Sequence, residues 1–104
     1  MTDAARAGGG RGVEFTLLHR AYCHLCDEML DALRPIAAAA GASIAVVDVD
    51  AHADLEAVWG DRVPVLFLGP PAPARELCHY HLDAARVNAA LVGTATFASE
   101  PDFR

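Results

Sequence analysis

Cys23-His24-Leu25-Cys26 stands between two stretches of different periodicity. Ahead of it, Val13-Glu14-Phe15-Thr16-Leu17-Leu18 alternates and then turns apolar on both sides, as a central strand over residues 13–19 does. Behind it, Leu25, Cys26, Met29, Leu30, Leu33, Ile36 and Ala37 recur at intervals of three and four, opposite His24, Asp27, Glu28, Asp31 and Arg34. That spacing predicts an amphipathic helix over residues 25–40. Two thiols three positions apart at a helix start can close into a small disulfide ring and reopen by exchange with an outside thiol. The unpaired N–H groups and the dipole of a helix N-terminus favour the first of them as thiolate.

The rest of the chain extends this pattern. Pro35 removes a backbone donor inside the helix, which predicts a kink or a break into two helical pieces, and Gly41 ends it. The apolar residues 43–49 read as a second strand buried on both faces. Asp50 is the expected N-cap of a short helix with Leu55, Val58 and Trp59 on one side and Gly60 as its stop, Trp59 being core. Residues 64–68 read as a third strand, and the turn Gly69-Pro70-Pro71-Ala72-Pro73 leads to a fourth over 75–79. Asp83 can cap a last helix through about Leu91, with Val87, Ala90 and Leu91 on one face. The order is β-α-β-α-β-β-α, an α/β domain over residues 13–92 with a four-stranded mixed sheet flanked by helices. Residues 1–12, with Gly8-Gly9-Gly10, read as a flexible tail, and 93–104 as a loose one.

Composition narrows the function classes. A chain of 104 residues holds one modest core. A net charge of −6 argues against nucleic acid or an anionic membrane as partner, since both call for a basic face. Residues 1–12 lack the apolar run of a secretory signal. Residues 36–49 are too short to span a bilayer and are interrupted by Gly41 and Ser43. Three cysteines, two of them in a C-x-x-C, do not make a structural disulfide framework. A cytoplasmic monomer in a reducing compartment is the expectation.

With Cys23-His24-Leu25-Cys26-Asp27 at the first helix and Arg62-Val63-Pro64-Val65 at the third strand, residues 13–91 resemble the thioredoxin superfamily. More narrowly, they are similar to the small bacterial glutaredoxin-like proteins. The resemblance implies a thioredoxin-like fold and thiol–disulfide exchange, with Cys23 as the attacking thiol and Cys26 as the resolving one. It implies a cis peptide at Pro64, and backbone hydrogen bonds from Val63 to an extended substrate. No tightly bound cofactor or metal is expected; an external thiol, glutathione or a thioredoxin system, would be the reductant. The partner would be a disulfide-containing protein or a small thiol. Glutaredoxins that use glutathione usually carry threonine before Val-Pro and a Gly-Gly-x-Asp turn after the hairpin. This chain has Arg62 and Cys78-His79-Tyr80-His81-Leu82-Asp83 there, with an acid at Asp83 but no glycines.

Several side chains have two readings. Arg20, three residues upstream, and His24, when protonated, would assist the Cys23 thiolate, with an expected pKa on the order of 5–7. Asp27 opposes them but as an exposed charge is screened. His24 is equally well an exposed first-turn residue, Tyr22 either a wall of the site or packing, and Arg62 a solvated charge or an anion contact. Cys78, His79 and His81, with Cys23 and Cys26, contain enough ligands for a metal. On a strand, however, His79 and His81 would point one way and Cys78 the other. Cys78 could otherwise be a regulatory thiol or simply a buried one. Besides an oxidoreductase, two classes stay open: a thioredoxin-fold module that binds a partner at Val63-Pro64 without turnover, and a metal or iron–sulfur carrier.

Overall fold

The computed structural model describes residues 13–99, with side chains as far as residue 93. Strand β1 (Glu14–His19) leads into helix α1 (His24–Ala40), then strand β2 (Ser43–Asp48) and the short helix α2 (Ala53–Trp59). Strands β3 (Val65–Leu68) and β4 (Glu76–His79) precede helix α3 (Ala84–Ser99). The sheet order is β2-β1-β3-β4. β1 and β2 are parallel, while β3 runs antiparallel to both β1 and β4. The mixed α/β order expected from the sequence is the one observed.

Each face of the sheet carries its own core. Phe15 and Leu17 of β1 and Leu66 of β3 pack with Met29, Leu33 and Ala37 of α1 and Val87 of α3. On the opposite face Leu18, Val65 and Phe67 pack with Trp59, the single buried side chain of α2. Trp59 meets Phe67 edge-on, with ring centroids 5.1 Å apart. Burying each large apolar side chain contributes about 1.5–3 kcal/mol, so α1 and α3 on one side and α2 on the other are held by these few residues.

Several local expectations are corrected. α1 is one uninterrupted helix: Pro35 lies on its exposed face, where water can satisfy the carbonyl that loses its partner. At its end Gly41 has φ 68°, and Ala42 N–H and Gly41 N–H return to the Ala37 and Ala38 carbonyls at 2.9 and 3.2 Å. β2 is not buried on both faces; it is a sheet edge, and Val46 is 43% exposed. Asp50 does not cap α2. A single tight turn over Val49–Ala51 intervenes, capped by Asp48, and His52 precedes α2 without a side-chain bond. Val58 faces solvent, not the core. α2 does end at Gly60 as expected, but with right-handed φ and ψ there and not the left-handed backbone of a glycine stop, so the chain continues into another turn.

Asp83 caps α3 as expected: its Oδ1 accepts from Arg86 N–H at 3.1 Å. The helix continues past Leu91 to Ser99, because Gly93 does not take the positive φ that would stop it. Residues 93–99 are therefore helical. The expected N-terminal tail, 1–12, and the last five residues lie outside the described residues.

Leu33→Ala should lose about 2–5 kcal/mol in urea unfolding, since Leu33 is fully buried between α1 and the sheet. Gly41→Ala should lose roughly 1–2 kcal/mol through its left-handed backbone alone, because a Cβ there meets nothing within 4 Å. A Leu33→Ala loss below about 1 kcal/mol would mean that α1 is not seated through this stripe.

Candidate active site

The pairing registers deliver three chain segments to one end of the sheet. Leu18, near the end of β1, lies opposite Val65 at the start of β3, which in turn lies opposite His79 at the end of β4. From that end the chain runs into Cys23, out of Val63-Pro64, and into Tyr80.

Cys23 is the N-cap of α1, in extended conformation, and its Sγ accepts the Cys26 backbone N–H at 3.1 Å. Its carbonyl accepts from Asp27 N–H at 3.2 Å. Cys26 shares the inner stripe of α1 with Met29, Leu33 and Ala37 and is 2% exposed, whereas Cys23 is half-buried. The two cysteines are joined as a disulfide, with Cα atoms 5.2 Å apart. The exposed and the shielded sulfur thus follow from which face of α1 packs on the sheet.

The Val63–Pro64 peptide is cis, as the resemblance implied. Pro64 is buried, and Val63 lies upstream of both β3 pairing registers. His24 is exposed as the first residue of α1. Tyr22 is not a packing residue, since it stands fully exposed beside Cys23 with φ 58°.

Arg20 occupies a different place from the one expected. Its guanidinium donates to Asp50 at 3.0 and 3.3 Å, to Glu56 at 3.3 Å and to the Gly60 carbonyl at 3.2 Å. The Asp50 hydrogen bond is the largest influence on it and holds it firmly protonated. Two carboxylates face that one positive charge, so Arg20 ties the end of β1 to α2. Glu56 folds closely over Gly60: a Cβ there would lie 2.6 Å from its carboxylate oxygen and would push that side chain aside.

Arg62 is likewise engaged, by Glu76 at 3.7 Å and the Val58 carbonyl at 3.5 Å. Glu76 also meets His79 Nδ1 at 3.1 Å. The histidines do not share a strand face, because β4 ends at His79. Tyr80 turns the chain with φ 65°, and His81 N–H bonds the His79 carbonyl at 2.7 Å. Cys78 packs on the α1 side of the sheet, half-buried and free of any disulfide. Burial pushes its thiol above the ordinary range, against a backbone hydrogen bond from Asp83 that lowers it. Among the described residues no three His, Cys, Asp or Glu side chains converge as a metal site. No described helix is long and apolar enough to cross a membrane.

Sequence reasoning missed Tyr80. Aligned on Asp83, the Gly-Gly-x-Asp register puts its first glycine at Tyr80, and the backbone keeps a glycine-like φ there although the residue is tyrosine. Such a conformation costs about 1–2 kcal/mol for a residue with a Cβ. Tyr80, with His81 and Leu82, lines a cleft of about 250 Å³ against Leu25, Glu28 and Ala32 of α1.

This geometry has relatives. A Nitrosomonas europaea protein solved by NMR is 34% identical, with TM-score 0.65, over 75% of this chain and 89% of its own. An X. campestris protein solved by X-ray diffraction is 41% identical, with TM-score 0.55, over 76% of this chain and 96% of its own. Thioredoxin 1 of Thermosipho africanus, 17% identical over 84% of this chain and 99% of its own, shares the fold with TM-score 0.59. No curated protein matches the sequence. The glutaredoxin-like domain family (DUF836) matches residues 14–92. The chain therefore belongs to that glutaredoxin-like family, built on a thioredoxin-like fold with a closely spaced cysteine pair.

Proposed function

We propose that the Cys23/Cys26 pair is a dithiol–disulfide couple that exchanges with disulfides of partner molecules. The carrying observation is the inequality of the two sulfurs: Cys23 is half-exposed at the helix N-terminus and accepts a backbone N–H, while Cys26 is sealed at 2% exposure. In the reduced protein the Cys23 thiolate attacks one sulfur of a substrate disulfide, and the other sulfur leaves as a thiolate that takes up a proton. The mixed disulfide is then attacked by Cys26, which gives up its own proton, and the second substrate thiol departs. Two electrons pass to the substrate and the Cys23–Cys26 bond forms. An external thiol, glutathione or a reduced dithiol protein, closes the cycle by the reverse exchange.

The helix N-terminus and the Cys26 N–H favour thiolate at Cys23, with His24 beside them adding to this in its charged form. Arg20 is not among them, its charge being offset by Asp50 and Glu56. Val63, outside the strand registers, is the edge that an extended substrate segment would pair with. Cys78 takes no part. Its raised pKa keeps it a neutral thiol near pH 7, so it is a poor nucleophile there.

Cys26→Ser should accumulate a mixed disulfide with a disulfide substrate, and Cys23→Ser should not, read by mass spectrometry under non-reducing conditions. Equal trapping by both would reverse or abolish the assigned roles. In the reduced protein, thiolate absorbance against pH should place Cys23 below the free-thiol range in wild type. Arg20→Ala should move that titration by less than about half a pH unit. A large rise in Arg20→Ala would restore Arg20 as the activating charge.

Cys78 gives a separate expectation at alkaline pH. A thiol raised on folding contributes stability that is fully present below its unfolded pKa and is lost as pH rises through its folded pKa. Wild type should therefore lose stability relative to Cys78→Ala as the pH climbs beyond the ordinary thiol range, measured by urea unfolding. A constant difference between the two proteins across that window would contradict the burial of Cys78.

A further inference from the structure

We infer that Tyr80 is a positioning residue of the substrate-binding edge, fixing the Val63 peptide group so that it can pair with the backbone of an extended, disulfide-bearing segment. The inference rests on the redox reading above and adds to it the class of substrate: a polypeptide disulfide, in preference to a small one.

Tyr80 holds the loop on both sides of Val63. Its backbone N–H donates to the Pro64 carbonyl at 2.9 Å, and its Oη donates to the Asp61 carbonyl at 2.9 Å. The first bond continues the β3–β4 ladder by one step, and any residue with an N–H could make it. The second reaches back across 19 positions and only a tyrosine hydroxyl at this place makes it. The left-handed backbone at residue 80 turns the chain out of β4 where the ring takes this position.

The neighbouring side chains reinforce the same loop. The His79 ring lies edge-on to Tyr80, with centroids 4.8 Å apart, and its Nδ1 meets Glu76 at 3.1 Å. Glu76 in turn holds Arg62, the residue just before Val63. Positions 61, 62 and 64 are thus each bonded to the β4 segment, and Val63 is the position between them. On its other side Tyr80 walls the cleft that also contains Leu25, a residue of the cysteine motif itself. One residue therefore borders both the pairing edge and a cleft lined by part of the cysteine motif.

A substrate with no peptide backbone has nothing to gain from an ordered Val63 edge. A polypeptide pays an ordering cost if that edge is loose, because pairing must first fix it. The consequence is a selective effect. Removing the hydroxyl should weaken binding of an extended substrate without touching the sulfur chemistry.

The test is a single-turnover comparison of prereduced wild type and Tyr80→Phe. Each is mixed with rising concentrations of an extended disulfide-bridged peptide and, separately, of hydroxyethyl disulfide, and formation of the Cys23–Cys26 bond is followed. For the peptide, the half-saturating concentration should rise about three- to tenfold in Tyr80→Phe, the size of one lost hydrogen bond, with the limiting rate unchanged. Rates with hydroxyethyl disulfide, and the Cys23–Cys26 redox potential, should stay as in wild type. Equal peptide half-saturation in the two proteins, or an equal loss with both disulfides, would overturn the inference while leaving the redox reading intact. A wild type that oxidises with neither disulfide would overturn the redox reading and this inference with it.

Discussion

Seating of α1 on the sheet determines the chemistry of its first turn. Met29, Leu33 and Ala37 must face Phe15, Leu17 and Leu66 to close the larger core, and this leaves the helix no freedom of rotation. Cys26 belongs to the same stripe, one turn nearer the N-terminus, and is buried with it. Cys23 falls at the cap, where its carbonyl accepts the first helical hydrogen bond and its side chain meets the free N–H groups of the first turn. The difference between a reachable and a sealed sulfur is therefore a packing result. It needs no dedicated residue beyond the two cysteines and the apolar repeat.

The other half of the site is built by cross-bracing between β4 and the segment ahead of β3. Glu76, His79 and Tyr80 lie at or beside β4 and together engage Arg62, Asp61 and Pro64. Arg20 performs a similar service on the other side, joining the end of β1 to Asp50, Glu56 and Gly60. Arg20 and Arg62 are thus both partnered by carboxylates. At Cys23 the structure shows a backbone contact, the Cys26 N–H at the helix terminus, with exposed His24 as the next residue.

Periodicity and punctuation carried the element order, because strand alternation, the three-and-four repeat of α1, the stop at Gly41 and the cap at Asp83 are local signals. The cysteine spacing and the Val-Pro step carried the family, and with it the cis peptide. What was not legible depends on separation. Arg20 finds its partners 30, 36 and 40 residues away, which no local signal shows. Asp50 looked like a cap because a capping aspartate and an ion-pairing one read alike. Pro35 looked like a break because exposure of its face, which spares the helix, is a tertiary fact. The apolar run of β2 said nothing of its edge position, and Tyr80 gave no sign of a left-handed backbone that sequence ordinarily assigns to glycine or asparagine.

The central claim is that Cys23 and Cys26 form a reversible two-electron couple in which Cys78 has no share. The most direct measurement equilibrates the protein across a series of reduced-to-oxidised dithiothreitol ratios, quenches with acid, and counts free thiols by alkylation and mass. The account predicts a single reversible transition from three free thiols to one, with Cys78 remaining free throughout. A pair that stays closed or open across the whole series, or an oxidised species linked through Cys78, would contradict it.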